Sequence, residues 1–438
     1  MGRVAHVVVK RKEDVMRGRT RLGILLSAVL ALVATNHVDV AAQQCPKGKL
    51  RIYTSWPMQG AMIPEGTGMK NGLDMAVAEV GGTVAGFCLE IINLDDASPQ
   101  TGKWDGAVEA ENANKAVADP LAILYVGTYN SGAAKVSIPI NNRAHMAQIT
   151  PANTYPGLTK KQGAAPGEPE IYRPMGFANY FRPIPADDIQ GAVGAKWAKR
   201  LGTKKVFILN DQELYGKGIA DVFEATAKKI GLTVVANEGI DWKQPDQKPI
   251  LTKVRASGAD LVYMGGVIET GAQVIIRQMK EVGLVAPRVR FMGPDGLLEE
   301  ELLKGATCEV AMATEMRVTF AGLPFEKMKG VGAKTYEEYK KKFGKEPTSY
   351  ALYAAEAGRV AIDAIKRSAG AIEKGKDPTE KREALRKAIA TTKNFEGING
   401  KWSFDANGDV DYDTMSGFKV VKADSPIGCK FAFESILE

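Results

Sequence analysis

Ser131 and Thr154 each place a hydroxyl where an apolar run gives way to polar sequence. In "YVGTYNSGAAKVSIPI" (125–140), Gly127, Thr128, Asn130, Ser131 and Gly132 separate a strand-like run, Leu121–Val126, from Ala, Val and Ile at helical spacing. Two readings stay open there. Asn130 or Ser131 caps the helix by accepting from its first-turn N–H groups, or those groups remain available to an anion such as a carboxylate. A second set of residues suits a cation: Asp295 in "GPDG", Glu269 in "GGVIE" and the phenol of Tyr215 in "NDQELYG". Equipment for an anion and for a cation together suits a zwitterion, that is, an amino acid.

Other chemistry finds little support. "GAIEKGKD" (370–377) has phosphate-loop spacing but ends in Asp377 and follows a helix pattern. "DANGDVDYD" (405–413) alternates acids as a calcium loop does, yet it lacks flanking helices and the closing Glu, so a turn is expected. "YGKGIAD" carries two glycines of a dinucleotide fingerprint too far beyond its strand. No nucleophile elbow, zinc motif or C-x-x-C occurs, and His145 is the one histidine beyond residue 42, expected to be structural. No metal, cofactor or catalysis is expected. Trp197 is expected to pack within a helix, whereas Trp56, in a strand-end loop, is a candidate for lining a cleft.

The elements that must position these residues alternate. Leu50–Thr54, Leu89–Leu94, Ala122–Val126 and Met146–Thr150 read as strands, and Met69–Val80, Val108–Ala118 and Ala133–Asn141 as helices. After Pro- and Gly-rich sequence the pattern resumes. Lys205–Asn210, Leu232–Asn237, Asp260–Met264 and Val289–Met292 are strands; Ile219–Ile230, Lys248–Ser257 and Ala272–Val282 are helices. Region 331–390 is helical, and Phe418–Val421 and Phe431–Phe433 return to strand. The reading is α/β: two doubly wound parallel-sheet units joined near 180–187. Ligands in such sheets sit beyond the carboxyl ends of the strands. Those ends carry Trp56, the 127–132 loop, Ala152-Asn153-Thr154, Tyr215, Val267, Glu269 and Asp295.

The 438 residues have room for two or three domains. Lys10 to Arg21 form a basic stretch before the apolar run Leu22–Ala34, and Val40-Ala41-Ala42 supplies small residues for cleavage. Residues 1–42 therefore read as a secretory signal peptide, and Gln44 before Cys45 argues against a lipid anchor. That segment carries seven Lys/Arg and three Asp/Glu, so its removal takes the net charge from +7 to +3. Nothing then points to nucleic acid. Cys45, Cys88, Cys308 and Cys429 in an exported chain suggest two disulfides, with three connectivities open.

"DDASPQTGKWDGAVEAENANKAVAD", "GTYNSGAAKVSIPI", "ITPANTYPGLT", "YFRPIPADDIQG", "VFILNDQELYGKGIADVF" and "FMGPDGL" occur in that order. From about residue 48 onward the chain thereby resembles the type I periplasmic solute-binding proteins of branched-chain amino acid ABC importers, the leucine/isoleucine/valine-binding family. The resemblance implies two lobes joined by three hinge crossings near 182–187, 313–317 and 405–411. Lobe one would be 48–182 with 317–405, and lobe two 187–313 with 411–438. It implies the disulfides Cys45–Cys88 and Cys308–Cys429. It also implies that Ser131, Thr154 and the Gly132 N–H hold an α-carboxylate, and that the Ala152 carbonyl and Asp295 hold the α-amino group. Tyr215 would cap the ligand, with Asn153 in the same binding loop as Ala152. Glu65 and Val267 stand where the family has aromatic residues bordering the side-chain pocket; Glu65 is expected to turn to solvent, and turned inward it would suit a polar or cationic side chain. The function implied is delivery of an amino acid, branched-chain or otherwise hydrophobic, to a membrane permease by a monomer in the periplasm or outside the cell. Another small solute (an amide, urea, an aromatic acid, a polar amino acid) or service as a ligand sensor for a receptor is the alternative.

Overall fold

The computed structural model describes residues 45–438; the expected signal peptide, 1–42, lies outside them. The first run of alternating sequence folds as β1 (Lys49–Trp56), α1 (Ile63–Glu79), β2 (Thr83–Val84), β3 (Phe87–Asp95), α2 (Gly106–Ala118), β4 (Ala122–Gly127), α3 (Ser131–Arg143), β5 (Ala147–Ile149) and β6 (Tyr180–Phe181). Its sheet has the order β2-β3-β1-β4-β5-β6, parallel apart from β2. β4 is buried along its whole length, as a central parallel strand covered on both faces must be.

The second run gives α4 (Asp187–Arg200), β7 (Lys205–Asn210), α5 (Leu214–Lys229), β8 (Thr233–Gly239), α6 (Lys248–Ser257), β9 (Leu261–Gly265), α7 (Ala272–Glu281), β10 (Arg290–Gly293), α8 (Ala306–Ala313) and β11 (Arg317–Ala321). Then follow α9 (Val331–Phe343), α10 (Ala351–Lys374), α11 (Pro378–Ala390), a ribbon of β12 (Phe395–Gly397) and β13 (Gly400–Trp402), and finally β14 (Met415–Lys422) and β15 (Cys429–Leu437). The second sheet runs β15-β14-β11-β10-β9-β7-β8. β11 pairs parallel with β10 and antiparallel with β14, so residues 317–321 sit in this sheet and do not open a return segment of the first.

The helices of 331–390 return to the first sheet. α10 lies on α1 at close range: a Cβ on Gly72 would fall 1.9 Å from the Ala351 carbonyl oxygen, so only glycine permits that approach. α11 reaches β4 through Arg382, whose Nε donates to the Ala122 carbonyl at 2.9 Å. The segments at 182 and 409 run side by side. Arg182, fully buried, donates through Nε to Asp409 at 2.9 Å, and its own N–H meets the Gly408 carbonyl. "DANGDVDYD" is accordingly a turn, in which Asp405 accepts from the Asn407 and Asp409 N–H groups.

The cysteines pair as Cys45–Cys88 and Cys308–Cys429. The first ties the chain ahead of β1 to β3, and the second ties α8 to β15. His145 lies 3.4 Å from Glu383 against Phe177, and Trp197 packs beneath Gly417, both in structural roles. Among the described residues no helix is long and apolar enough to cross a membrane.

Candidate functional site

The loops after β4 and β5 are sewn together before any ligand is considered. Thr150 Oγ1 donates to the Thr128 carbonyl at 2.9 Å, and Asn153 Nδ2 to the Tyr129 carbonyl at 2.7 Å. Asn153 Oδ1 accepts from Tyr180 at 2.5 Å. The Asn153 amide is thus occupied by protein, and its part is to shape the loop. Next to it, Ala152 donates its N–H to Thr150 Oγ1.

No side chain caps α3. Asn130 sends its amide to Glu269 Oε1 at 3.0 Å, in the loop after β9. The Ala133 and Ala134 N–H groups return to the Asn130 carbonyl, which leaves those of Ser131 and Gly132 as the open donors of the first turn. Ser131 Oγ accepts only a long bond, 3.4 Å, from the Tyr155 N–H. Thr154 is 1% exposed, and its hydroxyl has no protein partner but the Asp187 carboxylate. Gly132 has no side chain because there is no room for one: its Cβ would lie 2.5 Å from the Trp104 ring. Trp104 therefore stands in the space that a second hydroxyl side chain would need.

Asp295, fully buried, accepts from three side chains. The Tyr215 phenol and Gln190 Nε2 (3.1 Å) reach Oδ1, and the Tyr350 phenol reaches Oδ2 at 2.7 Å. Burial pushes its carboxyl up while these donors hold it down. Tyr215 thus positions Asp295 and accepts from the Gly296 N–H at 3.1 Å. Val267 packs against Gly296 beside the Tyr215 ring.

Asp187, the first residue of α4, is also fully buried, and the only donor that meets its carboxylate is the adjacent Thr154 hydroxyl. Its own backbone N–H donates to the Thr154 carbonyl at 2.9 Å, so the carboxylate and the hydroxyl stand side by side. Burial and the neighbouring Asp295 charge both push the Asp187 carboxyl well above the usual range. Asp187 was within reach of sequence reading in "PADDIQG", but acids at a helix start are ordinary there and draw no notice.

Trp56 is fully buried with its indole N–H unpartnered. Glu65 does not turn to solvent. It is 1% exposed, and Oε1 accepts from Thr348 Oγ1 and from the Tyr350 N–H, each at 3.0 Å. Thr348 and Tyr350 approach from nearly three hundred residues away along the chain, which no local pattern around Glu65 signals.

Several contacts join the loops of the two sheets. Besides Asn130–Glu269, Lys103 sits 3.5 Å over the Trp242 ring, and Ser349 Oγ donates to the Leu298 carbonyl at 2.6 Å. Tyr155 presses on Gly218 of α5, where a Cβ would lie 2.6 Å from its ring. Burial pushes Glu269 up to about 7, against the pull of Asn130 and Lys103.

A family profile described as periplasmic binding protein matches residues 49–425. An amino acid binding protein of Pseudomonas aeruginosa is 29% identical over 392 residues, covering 89% of this chain and 92% of its own. A leucine-binding protein from Thermotoga maritima superimposes with a TM-score of 0.72 at 24% identity, covering 89% of this chain and 98% of its own. A solute-binding protein of an ABC transporter from R. palustris, in complex with 4-hydroxybenzoate, does so with a TM-score of 0.70 at 18% identity, covering 89% and 96%. With the profile spanning most of its length, the chain belongs to the periplasmic binding protein family and is a binding protein, not an enzyme.

Proposed function

We propose that the protein binds a free α-amino acid between two lobes and hands it to a membrane permease. One observation carries the reading: the Thr154 hydroxyl and the Asp187 carboxylate are buried side by side with no partner but each other, between the α3 N-terminus and Asp295. A carboxylate at the Ser131 and Gly132 N–H groups and the Thr154 hydroxyl gains charge-assisted hydrogen bonds, each worth about 1.5–3 kcal/mol. An ammonium group beside Asp187, Asp295 and the Ala152 carbonyl supplies these buried acids with a counter-charge beyond that of Arg182, which Asp409 already engages. The lobes in this reading are the two sheets with their helices, the connections running near 182–187, after β11, and near 405–411. The Pseudomonas relative's name agrees with an amino acid, and the two disulfides agree with an oxidising compartment outside the cytoplasm.

An aromatic acid, as in the R. palustris structure, is the second reading; it would satisfy Ser131 and Thr154 but leave Asp187 unpaired. Isothermal titration of the twenty amino acids, small amides and 4-hydroxybenzoate decides between them. Amino acid binding weakened at least tenfold by Asp187→Asn is the expected result. Binding of aromatic acids or amides alone would overturn the proposal.

A further inference from the structure

A second pair of buried acids meets in this cleft, and none of the anchors above uses it. Glu65 comes from the first turn of α1, above the six-stranded sheet, and Glu299 from the loop after β10 of the other sheet. Glu65 Oε2 and Glu299 Oε1 are both buried and receive no N–H or hydroxyl; the hydrogen bond the two carboxyls have is with each other. No lysine or arginine pairs with either among the described residues, and the strongest charges bearing on Glu299 are the carboxyls of Glu65, Asp295 and Glu300. Burial pushes both carboxyls up, Glu299 further, because it shares a hydrogen bond with Glu65 and yields the better acceptor to it. A hydrogen bond between two carboxyls needs a proton on one of them.

Two more polar groups nearby lack partners. The Tyr129 hydroxyl is buried and unpartnered, with Glu299 and Glu65 the charges that bear most on it, ahead of Glu269 and Asp295. The Trp56 indole N–H, at the end of β1, is likewise buried and unpartnered. Tyr350 sets the distance from the α-amino anchor. Its backbone N–H is on Glu65 and its phenol on Asp295, so the acid pair lies one tyrosine's length from the place assigned to the ammonium group. Lysine and arginine side chains span a similar length.

We propose that Glu65 and Glu299 form the side-chain subsite of the cleft and take the cationic end of a basic amino acid. The proposal rests on the α-amino acid reading above. A guanidinium or ammonium group donates to the two open carboxylate oxygens, one from each side of the cleft. The shared proton leaves to solvent, so a cation replaces a proton and both acids end as carboxylates. A leucine or isoleucine side chain would leave the pair unsatisfied, together with the Tyr129 hydroxyl.

The test is isothermal titration of the purified protein with arginine, lysine, ornithine and leucine at pH 7, in two buffers of different ionisation enthalpy. The basic amino acids should bind at least tenfold more tightly than leucine and release about one proton each, read from the buffer dependence of the heat. In Glu65→Gln and Glu299→Gln the ratio of arginine to leucine affinity should fall at least tenfold. Leucine binding as tightly as arginine, or arginine binding without proton release, would overturn this subsite while leaving the amino acid reading intact. Binding of no amino acid at all would overturn that reading, and this one with it. Should the variants fail to fold, the affinity ratio and proton count of the unaltered protein still decide.

Discussion

Gly218→Ala should raise the stability of the unliganded protein and weaken its ligand binding. Gly218 sits inside α5, where alanine gains up to about 1 kcal/mol in helix propensity whatever the cleft does. In the closed arrangement, however, its Cβ would lie 2.6 Å and 2.7 Å from two carbons of the Tyr155 ring. Ordinary carbon contacts are about 3.5–4.0 Å, so one partner must give by about an ångström. Tyr155 is poorly placed to yield. Its hydroxyl donates to Glu168 at 2.8 Å, its carbonyl accepts from buried Arg182 at 2.7 Å, and its N–H reaches Ser131. Overpacking of this kind costs about 1–3 kcal/mol. That cost falls on the closed form alone, which corresponds to a loss of roughly 5- to 150-fold in affinity. Thermal melts without ligand and titration with whichever amino acid binds supply the two numbers. Affinity within twofold of the original would show that Tyr155 and Gly218 do not meet when ligand is bound. A parallel fall in stability would mean that the clash lies inside the fold and is no part of closure.

Three further outcomes follow from buried groups and cross-links. Asp187→Asn should cost at least tenfold in amino acid affinity yet leave the unliganded melting temperature unchanged or higher, because an unpaired buried carboxylate is costly to keep; unchanged affinity would remove Asp187 from the site. Burial pushes Glu356 up to about 7, against the Trp402 indole N–H at 2.8 Å and the Ile398 N–H, so the folded chain holds that proton to about pH 7 while the unfolded chain releases it near 4.5. Stability should therefore fall as pH rises from about 4.5 to 7, by up to about 3 kcal/mol from this residue, and Glu356→Gln should flatten the slope; a melting temperature that climbs across that window would contradict it. Reducing the disulfides opens cross-links spanning 43 and 121 residues, worth about 4 and 5 kcal/mol on loop-closure entropy, so a reductant should lower the melting temperature by many degrees; a melt that does not move would show that the bridges add no stability.

Legibility followed the range of the interactions. Lys205–Asn210 and Lys248–Ser257 have the same bounds in sequence and structure, since continuous apolar or amphipathic runs between turn signals fix such elements locally. β11 is short and takes its place from β14, a hundred residues on, so nothing local marks 317–321 as a strand of the second sheet. Glu65 shows the same effect in a side chain. A lone acid in a helix's first turn suits solvent and the helix dipole, and only Thr348 and Tyr350 arriving from the far end of the chain bury it. Trp104 stands in the stretch that leads into α2, and only the fold brings its ring against α3, where it decides why position 132 is glycine.

The acids of the cleft also divide by the work already assigned to their oxygens, and this bears on how a variant there is to be read. Asp295 draws Gln190 and Tyr215 from one sheet's helices and Tyr350 from the start of α10, which packs over the other. It is a joint between the two halves as much as a ligand contact. Asp295→Ala removes the acceptor for three buried donors, at about 1–3 kcal/mol for each left unsatisfied. Closure then suffers for every ligand, amine or not. Asp187 has no such duties, since only the neighbouring Thr154 hydroxyl meets its side chain. A loss at Asp187 confined to ligands that carry an ammonium group, beside a loss at Asp295 common to all ligands, is what separates recognising the amino group from closing around it. Equal losses in the two variants across amines and non-amines alike would mean that both acids serve closure, and the ammonium anchor would then have to be sought at the Ala152 carbonyl.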